Sequence, residues 1–147
     1  MKRSILVEAD GGPLAIVVAG ANVPDFKLLA ATLDAIVVER PSEATTEEVP
    51  QHLCLDKGYD NRPTRELVKE RNYVAHIRRI GEEKLDEGGG KRYPARRWVV
   101  ERTLGWLSKC RAILVRYDKK AANYLGLVKL SCILLWYRRQ HRLSLLR

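Results

Sequence analysis

The sequence predicts an α/β fold that opens with an antiparallel hairpin. Two short runs rich in apolar and β-branched residues, Lys2–Glu8 and Leu14–Ala19, flank an Ala9-Asp10-Gly11-Gly12 turn signal. Two further short runs, His52–Asp56 and Tyr73–Ile77, are separated by a segment with helical apolar spacing. Beyond residue 95 the apolar residues recur at helical spacing only.

The elements follow in order. After the hairpin, Pro24 suits a first helical turn and Asp25 suits its positive end. Leu28, Leu29, Leu33, Ile36 and Val37 then predict a helix to about residue 38. Residues 41–50 are polar, acidic and bracketed by prolines, which predicts a loop. The third strand, His52–Asp56, is followed by a turn at Gly58. A helix over Asn61–Asn72 is predicted with Asn61 as its cap, Pro63 in its first turn, and Leu67 and Val68 inward. Tyr73–Ile77 is the fourth strand, and the charged, glycine-rich stretch 78–95 is predicted to be a mobile loop. Two helices close the chain, Arg96–Lys109 with Val100, Leu104 and Leu107 inward, and Asn123–Arg139.

At 147 residues the chain is one domain or part of one. With 46% hydrophobic and 31% charged residues it can bury a core, which argues against wholesale disorder. Charge interrupts every apolar run well before the roughly 18 residues a membrane span needs. Glu8 and Asp10 interrupt the start that a signal peptide would require. Cys54, Cys110 and Cys132 are widely spaced, so three buried, reduced thiols are expected, in keeping with a cytoplasmic, nucleoid-associated protein. His52, His76 and His141 are expected to stand alone, and none has a His or Cys neighbour at metal-ligand spacing.

The net charge of +9 is unevenly placed. Residues 1–90 hold 12 Lys/Arg against 16 Asp/Glu, whereas residues 91–147 hold 15 against 2. So one-sided a segment attracts polyanions, and nucleic acid fits better than a membrane surface because no clean apolar stripe opposes the cations.

Two segments carry candidate chemistry. In Leu55-Asp56-Lys57-Gly58-Tyr59-Asp60 a carboxylate stands at the carboxyl end of a strand before a glycine turn, where α/β sheets present ligand-binding groups. Asp56 as a simple turn cap is the competing reading, and Asp60 reads as a turn acid. In Arg96-Arg97-Trp98-Val99-Val100-Glu101-Arg102, Arg97 and Glu101 are four apart and share a helical face opposite the predicted apolar stripe. Glu101 is one of two acids after residue 90, and spacing alone leaves it an ion-pair partner or a metal ligand. The three tryptophans read as core or partner contacts.

Asp56-Lys57-Gly58-Tyr59-Asp60, then Arg97 and Glu101, then Arg116-Tyr117-Asp118, resemble in order and spacing the carboxyl-terminal half of insertion-sequence transposases of the DDE class. Gly12-Pro13-Leu14-Ala15 and Gly20-Ala21-Asn22-Val23 resemble their second and third strands and the loop that follows. The resemblance spans about residues 2–139. It implies an RNase H-like mixed sheet with carboxyl-terminal helices. It also implies DNA cleavage and strand transfer with magnesium or manganese held by three acids. Asp56 matches the second acid, Glu101 the third, and Arg97 an arginine that steadies a phosphate. Lys57, Arg96, Arg102, Lys109 and Arg111 are the expected DNA-binding cations. The tyrosine and lysine that some relatives carry around this motif fall on Pro94 and Ser108 in this chain, with Tyr93 and Lys109 one place away.

The family's first acid lies on a strand upstream of the hairpin. Asp10, in the hairpin turn, is misplaced to substitute for it. The expectation is therefore a single partial catalytic domain over 1–147, truncated at its first strand, as a fragment or second reading frame. Such a chain would be inactive alone and marginally stable. It would act on transposon ends and target DNA with an upstream transposase polypeptide, as a homo-oligomer when complete. Two other classes remain: a non-catalytic DNA-binding remnant that modulates intact transposase, and a different RNase H-like nuclease.

Overall fold

The computed structural model describes residues 1–39, 51–77 and 97–145, with side chains at 98–142 in the last segment. The predicted loops at 41–50 and 78–95 fall outside the described residues.

Strand β1 (Lys2–Val7) pairs antiparallel with β2 (Pro13–Ala19), as the hairpin pattern predicts, with a register irregularity between Leu6 and Val7. The connecting turn closes through Gly11 N–H to Glu8 carbonyl and Glu8 N–H to Gly12 carbonyl, both at 2.9 Å. Gly11 has φ +90°, a left-handed conformation in which a side chain is strained.

Helix α1 (Asp25–Asp34) begins after Pro24 as expected, but ends at Asp34 rather than near residue 38. Ile36, Val37 and Val38 follow it. They continue the apolar spacing, yet β-branched side chains are poor helix formers. Ile36 still packs on the core, whereas Val37 is 88% exposed. Strand β3 (Gln51–Leu55) leads into a 3₁₀ turn (Lys57–Tyr59), so Asp56 lies just past the strand rather than at its last position. Helix α2 (Arg62–Glu70) is capped as predicted: the Asn61 side chain accepts from Thr64 N–H at 2.9 Å. Its buried residues are Thr64 and Val68, with Leu67 partly buried. Asn72 then takes φ +57° and turns the chain into β4 (Tyr73–Ile77), which pairs parallel with β3.

Helix α3 (Arg97–Ser108) is followed by α4 (Arg111–Leu114), a single turn too short to show as a periodic pattern in the sequence, and by α5 (Ala121–Leu145). The last helix is longer than predicted at both ends. Ala121 and Ala122 are strong helix formers, and nothing between Arg139 and Leu145 breaks the helix.

The fold is mixed α/β, and its described strands form two separate two-stranded sheets, β1–β2 and β3–β4. Helix α1 packs on both hairpin strands, on the 3₁₀ turn and on α2, and so links the two sheets. Its Leu29 and Leu33 join Leu53 and Val68 in one buried cluster, with Leu6, Leu55, Tyr73 and Ala75 at the margin. On the other side of the hairpin, Ile16 is buried with Leu107, Ile113, Tyr124 and Val128 of the carboxyl-terminal helices. Neighbouring β1 residues serve different clusters, Leu6 the first and Ile5 the second, as the period-two alternation of a strand requires. Among the described residues no helix is long and apolar enough to cross a membrane.

Candidate active site

Asp56 is exposed at the carboxyl end of β3. Its extended backbone (φ −74°, ψ 162°) starts the 3₁₀ turn, and its carboxylate accepts from Lys57 N–H at 2.7 Å. The turn-cap role is therefore present. Tyr59, two residues past Lys57, turns back into the core between the sheets. Burial pushes its hydroxyl above the ordinary tyrosine range; the charges of Asp25 and Asp56 add to this, and a hydrogen bond with Ser4 opposes it. Ser4 lies 2.7 Å from Thr32, whose hydroxyl donates to Leu28 carbonyl. A polar chain thus joins the Asp56 turn, the hairpin and α1. Asp60 pairs with Arg65 at 2.7 Å, as suits a turn acid.

Glu101 is exposed on α3. The buried stripe of that helix is Val99, Thr103 and Leu107, which corrects the predicted Val100, Leu104 and Leu107. Val100 and Leu104 are only half-buried. The correction turns the helix by about one residue and sets Glu101 nearly opposite the buried stripe, since two residues span roughly 200°. Arg97 is the first residue of α3, and Arg96 lies outside the described residues.

Arg102 is held by the fold. Its Nη2 donates to Asp10 carbonyl at 2.6 Å, and its guanidinium lies 4.6 Å from the Trp98 ring and 4.9 Å from the Trp106 ring. Trp98 remains 56% exposed, while Trp136 donates its indole N–H to Pro13 carbonyl at 2.8 Å. Lys57 is half-buried, and Lys109 and Arg111 are exposed where α3 gives way to α4.

Asp56 and Glu101 stand on different units of the fold. Asp56 follows a strand of the parallel pair, and Glu101 is on a helix that packs on β1, α4 and α5. Among the described residues no three His, Cys, Asp or Glu side chains are gathered to hold a metal.

Two further sequence expectations are overturned. His52 and His76 do not stand alone: His52 Nδ1 lies 2.6 Å from His76 Nε2, because the parallel register brings residues 24 apart in the chain onto neighbouring strands. Burial and the nearby His52 hold His76 below the ordinary histidine range. Cys54, expected to be buried, is exposed on the same strand, while Cys110 and Cys132 are half-buried. Burial pushes the Cys132 thiol up to about 11. The alternation of His52, Leu53 and Cys54 placed both polar residues on one face, but no sequence pattern set β3 against β4 in register.

The α/β chain thus carries an exposed acid after a strand, a second exposed acid on a helix, and a strongly cationic stretch from residue 91 onward. The transposase DDE domain family matches residues 1–136, and the chain belongs to that family. It is 32% identical over 142 residues to a Burkholderia cepacia protein described as the transposase assigned to insertion sequence element IS402. That alignment covers 96% of this chain and 64% of the relative, so the chain spans less than two thirds of its relative's length. No solved structure matches significantly.

Proposed function

We propose that this chain forms part of the catalytic surface of a DNA transposase, which cleaves DNA phosphodiesters and joins the ends to a target. Asp56 and Glu101 act as its second and third acids, and Arg97 steadies a phosphate beside Glu101. The observation that carries this reading is that both motif acids are exposed in a member of the DDE family. Their carboxylate oxygens suit a hard cation such as magnesium or manganese. When bound, such an ion supplies Lewis acidity at the scissile phosphate. The protein residues supply the acid ligands and a cationic bed for the DNA. Lys109 and Arg111 are exposed cations of that bed, joined by Lys57 and Arg96, whereas Arg102 contributes mainly by fixing the hairpin against α3.

The RNase H-like reading is part of the same proposal. β1 pairs with β2 and β3 with β4, so β1 and β3 each have one side not joined to another described strand. A strand carrying the first acid between them would join the two pairs into one mixed sheet and bring that acid next to Asp56. The same two edges favour a second reading, in which the chain pairs with intact transposase and modulates it without catalysis.

The test is strand transfer by the chain assembled with a polypeptide that supplies the first acid. Asp56→Asn or Glu101→Gln should lower turnover by about two orders of magnitude or more, with DNA affinity unchanged. Unchanged turnover in both variants would refute the catalytic assignment and leave the modulating role. Cutting without joining would indicate a nuclease instead.

A further inference from the structure

Helix α3 presents a ridge that the acid motif uses only in part. Trp98, Glu101, Arg102 and Gly105 are three or four residues apart and share one face of the helix, and Lys109 stands just past its last residue. The ridge lies away from the buried Val99, Thr103 and Leu107. Its unusual member is Trp98, a large aromatic side chain that is 56% exposed. The ring is not loose. The Arg102 guanidinium lies over it, 4.6 Å from its centroid. Arg102 is itself held by Asp10 carbonyl at 2.6 Å and by the Trp106 ring at 4.9 Å. With one face of the indole so covered, an exposure this large falls on the other face and the rim. One helical turn beyond Arg102, a Cβ at Gly105 would meet nothing within 4 Å, so a polymer can run close to the helix there.

An ordered indole backed by a guanidinium fits the flat face of a nucleobase. Such stacking accepts any base, and a platform already held in place loses little freedom on binding. It needs a base outside the duplex stack, since paired bases cover one another. Charge favours the same occupant. Residues 91–147 hold 15 Lys/Arg against 2 Asp/Glu, which complements the phosphates that join such bases. We propose that Trp98 is a stacking platform for one unpaired base of a DNA single strand that runs along α3 toward Lys109. Trp98 and Glu101 are three residues apart, a spacing that sets Cβ atoms about 5–6 Å from each other, so the stacked nucleotide lies beside the motif acid. Arg102 is the positioning residue of the platform. The inference rests on DNA as the partner, as under the proposed function, but needs neither acid to be catalytic.

The probe is a dye-labelled single strand of thymidines, titrated into the full chain and read by fluorescence anisotropy, beside an abasic strand of equal length. The wild type should bind the thymidine strand at least about fivefold more tightly than the abasic one, which keeps the phosphates. Trp98→Ala should abolish that preference and leave the slope of log affinity against log salt as it was, since stacking neutralises no phosphate. Trp98→Phe keeps a ring and should retain most of the preference, and the Asp56→Asn, Glu101→Gln chain should retain all of it. Acrylamide quenching of the wild type gives a readout that needs no variant: the thymidine strand should shield tryptophan emission and the abasic strand should not. Equal binding of both strands, equal quenching with either, or a preference that survives Trp98→Ala would overturn the platform and leave DNA as the partner. Binding of neither strand would overturn the DNA reading with it.

Discussion

Thr103, fully buried on α3, places its hydroxyl 2.7 Å from the carbonyl of Gly11 in the hairpin turn. The carbonyl of Val99 lies 3.1 Å from the same oxygen and competes for its single proton. Together with the Arg102 bond to Asp10 carbonyl, this contact fastens the helix that carries Glu101 to the first element of the fold. Thr103→Val preserves the shape and removes the donor. It should destabilise the chain by about 1–3 kcal/mol, because a buried carbonyl loses its partner. Urea denaturation measures the loss, and an unchanged midpoint would show that the contact contributes nothing.

Gly12 permits a second close approach. A Cβ there would stand 2.5 Å from the Trp136 ring and 2.7 Å from Arg139 Nη1. Neither side chain is a loose end. Trp136 is bonded to Pro13 carbonyl, and Arg139 pairs with Glu8 at 2.9 Å and stacks on Trp136. Gly12→Ala should therefore cost about 1–3 kcal/mol through overpacking. It should also alter the tryptophan emission, since α5 must shift to make room. Retained stability with unaltered emission would show that Trp136 yields without cost.

The strands and their order were legible because a half-buried strand alternates and a turn needs glycine or asparagine. Gly11 and Asn72 both take the positive φ that their residue types suggest. The end of α1 was misread because Ile36 and Val37 keep helical spacing although their branching disfavours the helix. The buried face of α3 was misread by one residue for a related reason. Val99 and Val100 are adjacent and equally apolar, and Thr103 does not read as a core residue because its hydroxyl finds its partner only in the hairpin turn. At the site, the exposure of Asp56 was legible in an acid followed by Lys-Gly. The tie of Arg102 to Asp10 and the meeting of His52 with His76 were not, because tertiary packing sets the first and strand register the second.

Arg71, just past α2, bonds Asp34 at the end of α1 and so links the two helices that cover the inner cluster. That hydrogen bond, aided by the charge of Arg71, holds the Asp34 carboxyl below its ordinary value against the opposing effect of desolvation. Folding therefore favours the ionised form. The pair's contribution is present above the ordinary aspartate range near 3.8 and is lost as pH falls through the lowered folded value. Asp34→Asn should lower the unfolding midpoint at pH 7, and the difference from wild type should close as pH falls below the lowered folded value. Because the pair is exposed, about 0.5 M salt should shrink the difference at pH 7 as well. A difference that persists at low pH would mean that Asp34 acts through packing rather than charge.

Lys109 and Arg111 separate electrostatic DNA contact from support of the fold. Both are exposed and flank Cys110, whose neighbour Leu107 is fully buried, so the loss of either cation should leave the core intact. If each neutralises a phosphate, alanine at either position should flatten the plot of log affinity against log salt by about 0.9 on duplex DNA. The loss should be similar for every DNA sequence, since phosphate contacts carry no base information. Arg102→Ala should behave differently. It removes the bond to Asp10 carbonyl and the contacts with Trp98 and Trp106, so its main effect should be a lower unfolding midpoint with little change in slope. An unchanged slope in the Lys109 and Arg111 variants, with a large slope change in the Arg102 variant, would move the DNA path from the α3–α4 junction to the tryptophan face of α3.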